Sequence, residues 1–223
     1  MKTNLTELVF ILDRSGSMGG LESDTIGGFN SMLSKQQEEP GECRITTVLF
    51  DDKSEVLHDR IDIKAVSQIS EKDYYVRGCT ALLDAVGKTI KKIQKVQKNT
   101  ADEYKAEKVL FIITTDGMEN ASREFTYDKI KSMVEKQKNK HNWEFIFLGA
   151  NIDSFDVANR FGIAANRVQN YHNDKKGIEL NYSVLNETVA CYRAAPSYSC
   201  SISDNWGDKI SSDYKGRKKA GLQ

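Results

Sequence analysis

The sequence lacks most of the features that sort a chain into a class early. No apolar run approaches the ~20 residues that a membrane-spanning helix needs. The run nearest the start, Leu8–Leu12 in MKTNLTELVFILD, is short, has Glu7 just upstream, and is followed by no small-residue cleavage site. No membrane partner and a cytoplasmic location are therefore expected. Cysteine is sparse: Cys43, Cys79, Cys191 and Cys200 contain no C-x-x-C pair and are too few for a disulfide scaffold, so reduced thiols are expected. There is no excess of either charge, with 32 Lys and Arg against 32 Asp and Glu. That balance argues against nucleic acid or an acidic membrane, both of which attract basic surfaces. A phosphate cradle of the G-x-x-x-x-G-K-[ST] type is missing, and His58, His141 and His172 have no metal-ligand spacing.

What the sequence does have is an alternation of buried runs and helical stripes. LVFIL (8–12), VLFIITT (109–115) and FIFLGA (145–150) are nearly continuous apolar runs, the pattern of strands covered on both faces. CRITTVLFDD and SEVLHDRIDI alternate more, and the DDKS between them reads as a hairpin turn, which makes the second an antiparallel edge strand. RVQNY (167–171) is a weaker sixth strand candidate. Ile26, Phe29 and Leu33 recur at helix spacing, as do Leu82, Val86, Ile90 and Ile93, then Ile130, Met133 and Val134, and finally Ile178, Tyr182, Leu185, Val189 and Tyr192. Strand–helix alternation predicts an α/β fold: a doubly wound, mainly parallel sheet with one antiparallel edge strand and helices on both faces. One domain is expected over residues 1–195. From Pro196 the apolar pattern stops, and residues 196–223 read as a flexible tail that Trp206 and Ile210 could anchor locally.

The first buried run ends in FILDRSGSMGG (10–20). In open α/β sheets ligands bind at the carboxyl ends of strands, and alternate residues of an extended segment point the same way. Asp13, Ser15 and Ser17 can therefore present three oxygen groups to one point. Oxygen groups are what hard cations require, magnesium above all. Two other segments end on the same edge. VLFIITTDGMEN brings Asp116 to the end of another buried strand, and VRGCTALLDAV places Thr80 at a helix start.

Asp13-x-Ser15-x-Ser17, Thr80 and Asp116, in this order, resemble the metal-ion-dependent adhesion site of von Willebrand factor A domains. The resemblance covers roughly residues 5–195, and the sequence is especially similar to stand-alone intracellular bacterial members of that family. It implies one Mg2+ (or Mn2+) held directly by Ser15 and Ser17, and by Thr80 in the ligand-competent state, with Asp13 and Asp116 acting directly or through water. It further implies that an Asp or Glu of a partner protein takes the remaining position, as a binding function and not an enzyme's. Cys79 departs from the second Gly that many relatives have before the Thr. Tyr74, Tyr75 and Arg77, just before Thr80, and Glu119 and Asn120, just after Asp116, are candidates for the partner-binding rim, since exposed Tyr and Arg are frequent interface anchors. Asp84 is expected beside the site or in solvent, Asp51 and Asp52 in the hairpin turn, and Asp153 at a helix cap. The lysines at 88, 91, 92 and 95 are expected on a solvated helix face.

The rival reading is a hydrolase, because SGSMG lies at a strand-to-helix turn, the setting of a nucleophile elbow. The G-x-S-x-G pattern fails at Ser15. A triad would have to be Ser17 with Asp153 and His172, which are in a permitted chain order.

Overall fold

The computed structural model describes residues 2–196 and 200–221. Six strands form one sheet: β1 (Lys2–Asp13), β2 (Cys43–Phe50), β3 (Ser54–Asp62), β4 (Ala106–Thr115), β5 (Glu144–Gly149) and β6 (Val168–Asn170). Six helices accompany them: α1 (Glu22–Glu38), α2 (Leu82–Asn99), α3 (Tyr127–His141), α4 (Ser154–Arg160), α5 (Lys175–Ala194) and α6 (Asp208–Lys219). The spatial order is β3-β2-β1-β4-β5-β6. All neighbours are parallel except β3, which pairs antiparallel with β2 at the edge. The expected architecture is thus observed.

The apolar runs explain the layering. Successive side chains of a strand point to opposite faces, so an unbroken run must be covered twice. Leu8, Phe10 and Leu12 of β1 join Leu110, Ile112, Ile146 and Leu148 in a core closed by Phe29 and Leu33 of α1 and Leu185 and Val189 of α5. Val9 and Ile11 join Phe111, Ile113, Phe145 and Phe147 in a second core, closed by Val86, Ile90 and Ile93 of α2 and Ile130 and Val134 of α3. Two buried cations finish the helix ends. Arg193 of α5 donates to the Gln36, Glu39, Pro40 and Gly41 carbonyls at the end of α1, and Lys108 Nζ donates to the Tyr192, Arg193 and Ala195 carbonyls at the end of α5. Such carbonyls have no partner within the helix, and the helix dipole also favours a cation there.

The C-terminal segment differs from the expected tail. Ile202, Trp206 and Ile210 are buried in the first core, and Trp206 Nε1 donates to the Asn166 carbonyl at 2.8 Å. Lys209 pairs with Glu187 of α5, and Arg217 of α6 pairs with Asp174, the N-cap of α5. The segment is held by a few large residues four apart and by ion pairs, a pattern too thin to read as an amphipathic stripe. Residues 197–199, 222 and 223 of the expected tail lie outside the described residues. Among the described residues no helix is long and apolar enough to cross a membrane.

Strand order reverses between β1 and β4: the chain leaves β1 toward β2 and leaves β4 toward β5. The crevice at the carboxyl ends of two such strands is where open α/β sheets place ligands. Asp13 is the last residue of β1 and Asp116 follows the last residue of β4.

Candidate metal centre

Three loops meet at that crevice. The turn after β1 carries Asp13, Ser15 and Ser17; the stretch leading into α2 carries Thr80; the loop after β4 carries Asp116. Ser17 Oγ donates to Asp116 Oδ1 at 2.5 Å and lies 3.1 Å from Ser15 Oγ. Asp13 Oδ1 accepts from the Ser15 amide at 2.7 Å, and Asp13 Oδ2 accepts from Thr115 Oγ1 at 2.6 Å. A Cβ built on Gly117 would sit 2.9 Å from Thr80 Oγ1, 3.1 Å from Ser17 Oγ and 3.7 Å from Ser15 Oγ. The three hydroxyls therefore face one small space, and glycine at 117 leaves it open. All five residues singled out in the sequence are brought together here.

The backbone around them is fixed by side chains from the neighbouring loops. Asn120 Oδ1 accepts from the Thr80 amide at 2.9 Å, and the Asn120 amide donates back to the Thr80 carbonyl at 3.0 Å. Glu119 Oε2 accepts from the Leu83 amide and Ser122 Oγ from the Asp84 amide, which caps the otherwise uncapped start of α2 from the loop after β4. Asp84 is buried and accepts from the amides of Arg123, Glu124 and Phe125. It anchors that loop and does not face solvent.

The candidate rim is corrected by these contacts. Tyr74 is fully buried, and its hydroxyl donates to the Asp13 carbonyl at 2.6 Å. Its ring is part of the floor beneath the turn. The Glu119 carboxylate and the Asn120 Oδ1 are engaged with backbone amides, and Asn120 remains exposed at the rim. Tyr75 and Arg77 are exposed. Asp51, expected in the hairpin turn, is fully buried and accepts from both Arg14 Nε and Arg77 Nε. Cys79 is exposed, and all four cysteines are unpaired.

Two residues at this edge carried no sequence signal that was used. Asn173 Nδ2 donates to Asp116 Oδ2 at 2.7 Å. It stands just past β6, another strand end on the same edge, and that placement is the cue that could have found it. Arg14 sits inside the D-x-S-x-S stretch and is buried to 1% exposure.

Burial dominates the electrostatics. It pushes the Asp13 carboxyl up from 3.8 to about 6, against the hydrogen bonds from Ser15 and Thr115 that favour the anion. Burial also raises Asp116, against the hydrogen bonds from Ser17 and Asn173. Among the described residues, no Lys or Arg reaches either carboxylate. Buried charges are ordinarily paired with a counter-charge or a metal. The donor set of three hydroxyls and two carboxylates is all oxygen, which suits Mg2+ or Mn2+ and not a soft thiophilic metal. No group of three or more His, Cys, Asp or Glu side chains among the described residues is placed to hold a metal elsewhere.

The hydrolase triad is not assembled. Ser17 Oγ is engaged with Asp116, Asp153 Oδ1 caps α4 through the Asp156 amide, and His172 Nε2 lies 3.1 Å from the Tyr214 carbonyl with its ring against Tyr214.

No protein-family model matches the chain. No curated protein sequence matches it either. Solved structures do. A von Willebrand factor type A protein from Catenulispora acidiphila superposes with TM-score 0.59 at 12% identity, over 83% of this chain and 42% of that one. The vWF domain of the type V pili tip protein Mfa5 from Porphyromonas gingivalis gives 0.60 at 12% identity, over 92% of this chain and 100% of that domain. Manganese-loaded Plasmodium vivax TRAP protein gives 0.57 at 19% identity, over 80% of this chain and 73% of that one. The chain thus spans less than half of the Catenulispora protein. Sheet order, strand directions and these superpositions agree: the chain has the fold of the von Willebrand factor A domains.

Proposed function

We propose that this chain is a protein-binding module that depends on one divalent cation, Mg2+ or Mn2+, held by Asp13, Ser15, Ser17, Thr80 and Asp116. The observation that carries the reading is the pair of buried carboxylates, Asp13 and Asp116, facing converging hydroxyls with no cationic side chain between them. When bound, the cation supplies localised positive charge with a position open to a carboxylate of a partner protein. The chain's own residues do the rest. Ser15, Ser17 and Thr80 offer neutral oxygens, which keep the site's negative charge at two and leave the cation electrophilic toward an incoming acid. Thr115 and the Ser15 amide orient Asp13, and Asn173 orients Asp116. The ties of Asn120 and Glu119 to the start of α2 keep Thr80 in register with the other donors.

The surroundings support a protein partner. Tyr75 and Met118, on loops at this sheet edge, and Phe155, in the first turn of α4, are large and exposed. Tyrosine and methionine are enriched at protein interfaces. Nothing at the site assembles a nucleophile with a base, so binding without turnover is the reading favoured over hydrolysis.

The test is capture from a native lysate in Mg2+ and in chelator, with wild type and Thr80→Ala. A partner retained by wild type only in Mg2+, and retained less by Thr80→Ala at equal folded content, supports the proposal. Chelator-insensitive capture, together with ester turnover that is lost on Ser17→Ala or His172→Ala, contradicts it.

A further inference from the structure

Beside the metal donors lies a second charged cluster that holding the cation does not use. Arg14 stands between Asp13 and Ser15. Its Nε donates to Asp51 Oδ2 at 2.9 Å and its Nη2 to Glu55 Oε2 at 2.7 Å, while the buried Nη1 has no hydrogen-bond partner among the described residues. Arg77 Nε donates to the same Asp51 oxygen at 2.7 Å. The Tyr75 ring lies against both guanidiniums, 5.4 Å from Arg14 Cζ and 5.3 Å from Arg77 Cζ, and its hydroxyl accepts from Arg77 Nη1. The Arg77 amide donates to the Arg14 carbonyl and the Gly16 amide to the Gly78 carbonyl. The cluster and the cation donors are therefore built on the same two adjoining backbone segments.

The two acids of the cluster are not equivalent. Asp51 is fully buried, its other oxygen accepts the Lys53 amide, and it cannot leave without taking the shared acceptor from both guanidiniums. Glu55 is 55% exposed at the start of the edge strand, held by Arg14 Nη2 and more loosely by Arg77 Nη2 at 3.9 Å. It is a solvent-facing carboxylate resting on a preformed arginine pair. Asp52 adjoins Asp51 here, so without Glu55 two guanidiniums stand against two carboxylates. What Glu55 vacates is the Arg14 Nη2 donor, next to an Nη1 that has no acceptor among the described residues, a place for one carboxylate that a phosphate dianion would overcharge.

We propose that Arg14 and Arg77, walled by Tyr75, form a second carboxylate subsite, held by Glu55 in the free protein and taken by a second acidic side chain of the partner. The proposal rests on the reading that a first acid binds at the metal centre, and it deepens that reading: the recognised segment carries two acidic residues, not one. Planar guanidinium groups stacked on tyrosine suit such bidentate, partly desolvated recognition.

The probes are capped peptides carrying one Asp, or two Asp separated by zero to four Gly, titrated by NMR against labelled protein in Mg2+ and in chelator. In Mg2+, at one or more spacings, the second Asp should tighten binding to wild type about fivefold, the scale of a partly exposed ion pair. Arg77→Ala should remove that gain and leave single-Asp binding unchanged, whereas Glu55→Gln should enlarge it. In chelator, Glu55→Gln should still bind the single-Asp peptide, and adding Arg77→Ala should abolish this. No gain at any spacing, a gain that survives Arg77→Ala, or identical behaviour of Glu55→Gln and the double variant in chelator overturns the subsite. If the single-Asp peptide fails to bind wild type in Mg2+ while the chelator arm behaves as stated, the metal reading fails and the subsite stands.

Discussion

Ser17 and Asp116, separated by 99 positions in the chain, meet through a 2.5 Å hydrogen bond at the switch point of the sheet. The contact exists because β1 and β4 are adjacent and parallel, so their carboxyl ends deliver both residues to one crevice. The proposed metal centre depends on that convergence.

Gly117 keeps the crevice open. A Cβ there would meet the Thr80 and Ser17 hydroxyls and no backbone atom among its nearest neighbours, so the hydroxyls must shift and Gly117→Ala should leave the fold intact. It should displace the hydroxyls and weaken Mg2+ or Mn2+ binding by tenfold or more, the scale seen when the support of a metal ligand is disturbed. Mn2+ titration by electron paramagnetic resonance measures this. An unchanged affinity would show that the hydroxyls do not face the cation.

Asp13 makes the metal-free protein sensitive to pH. Its folded pKa of about 6 lies above the ordinary 3.8, so between those values the folded state binds more protons than the unfolded state. From this carboxyl, stability is therefore greatest in acid and is lost as pH rises through 4 to 6. Above pH 6 the buried charge costs up to roughly 3 kcal/mol, at 1.36 kcal/mol per pKa unit. Asp13→Asn removes the charge and keeps an acceptor for the Ser15 amide. Thr115 Oγ1 can then accept from the new amide and donate to the Gly117 carbonyl, which lies 3.1 Å away. In chelator Asp13→Asn should be more stable than wild type at pH 7.5, with the difference shrinking toward pH 4. Urea melts at both pH values check the sign. Equal stability at pH 7.5 would mean that the carboxylate is not strained in the metal-free state.

The buried runs were legible because doubly covered strands need unbroken apolar sequence. The five residues that converge at the crevice were legible because each follows such a run or opens a helix. Tyr74 was misplaced to the rim because a loop tyrosine leaves no periodic trace of which way its ring turns. Asn173 and Arg14 act through long-range contacts, to Asp116 and to Asp51 and Glu55, that no local pattern encodes. The fate of residues 200–221 was hidden for a similar reason: α6 docks onto α5 and β6, and Ile202, Trp206 and Ile210 enter the first core, whose position only the fold supplies.

That docking has a measurable consequence. Trp206 and Ile210 are buried, so Trp206→Ala should cost about 3 kcal/mol or more of stability, as large-to-small core changes do. Chemical denaturation of the full chain measures it. A loss below about 0.5 kcal/mol, the range of ordinary surface substitutions, would restore the reading of this segment as a tail.

The most direct test of the metal centre is thermal unfolding of wild type and Asp116→Ala in chelator, then with Mg2+ or Mn2+ added. A ligand that binds only the folded state at a hundredfold excess over its Kd stabilises by about 2.7 kcal/mol. Wild type should show a rise in Tm that grows with metal concentration, and Asp116→Ala should show little or none while remaining folded. Identical responses of the two proteins to both metals would contradict the account.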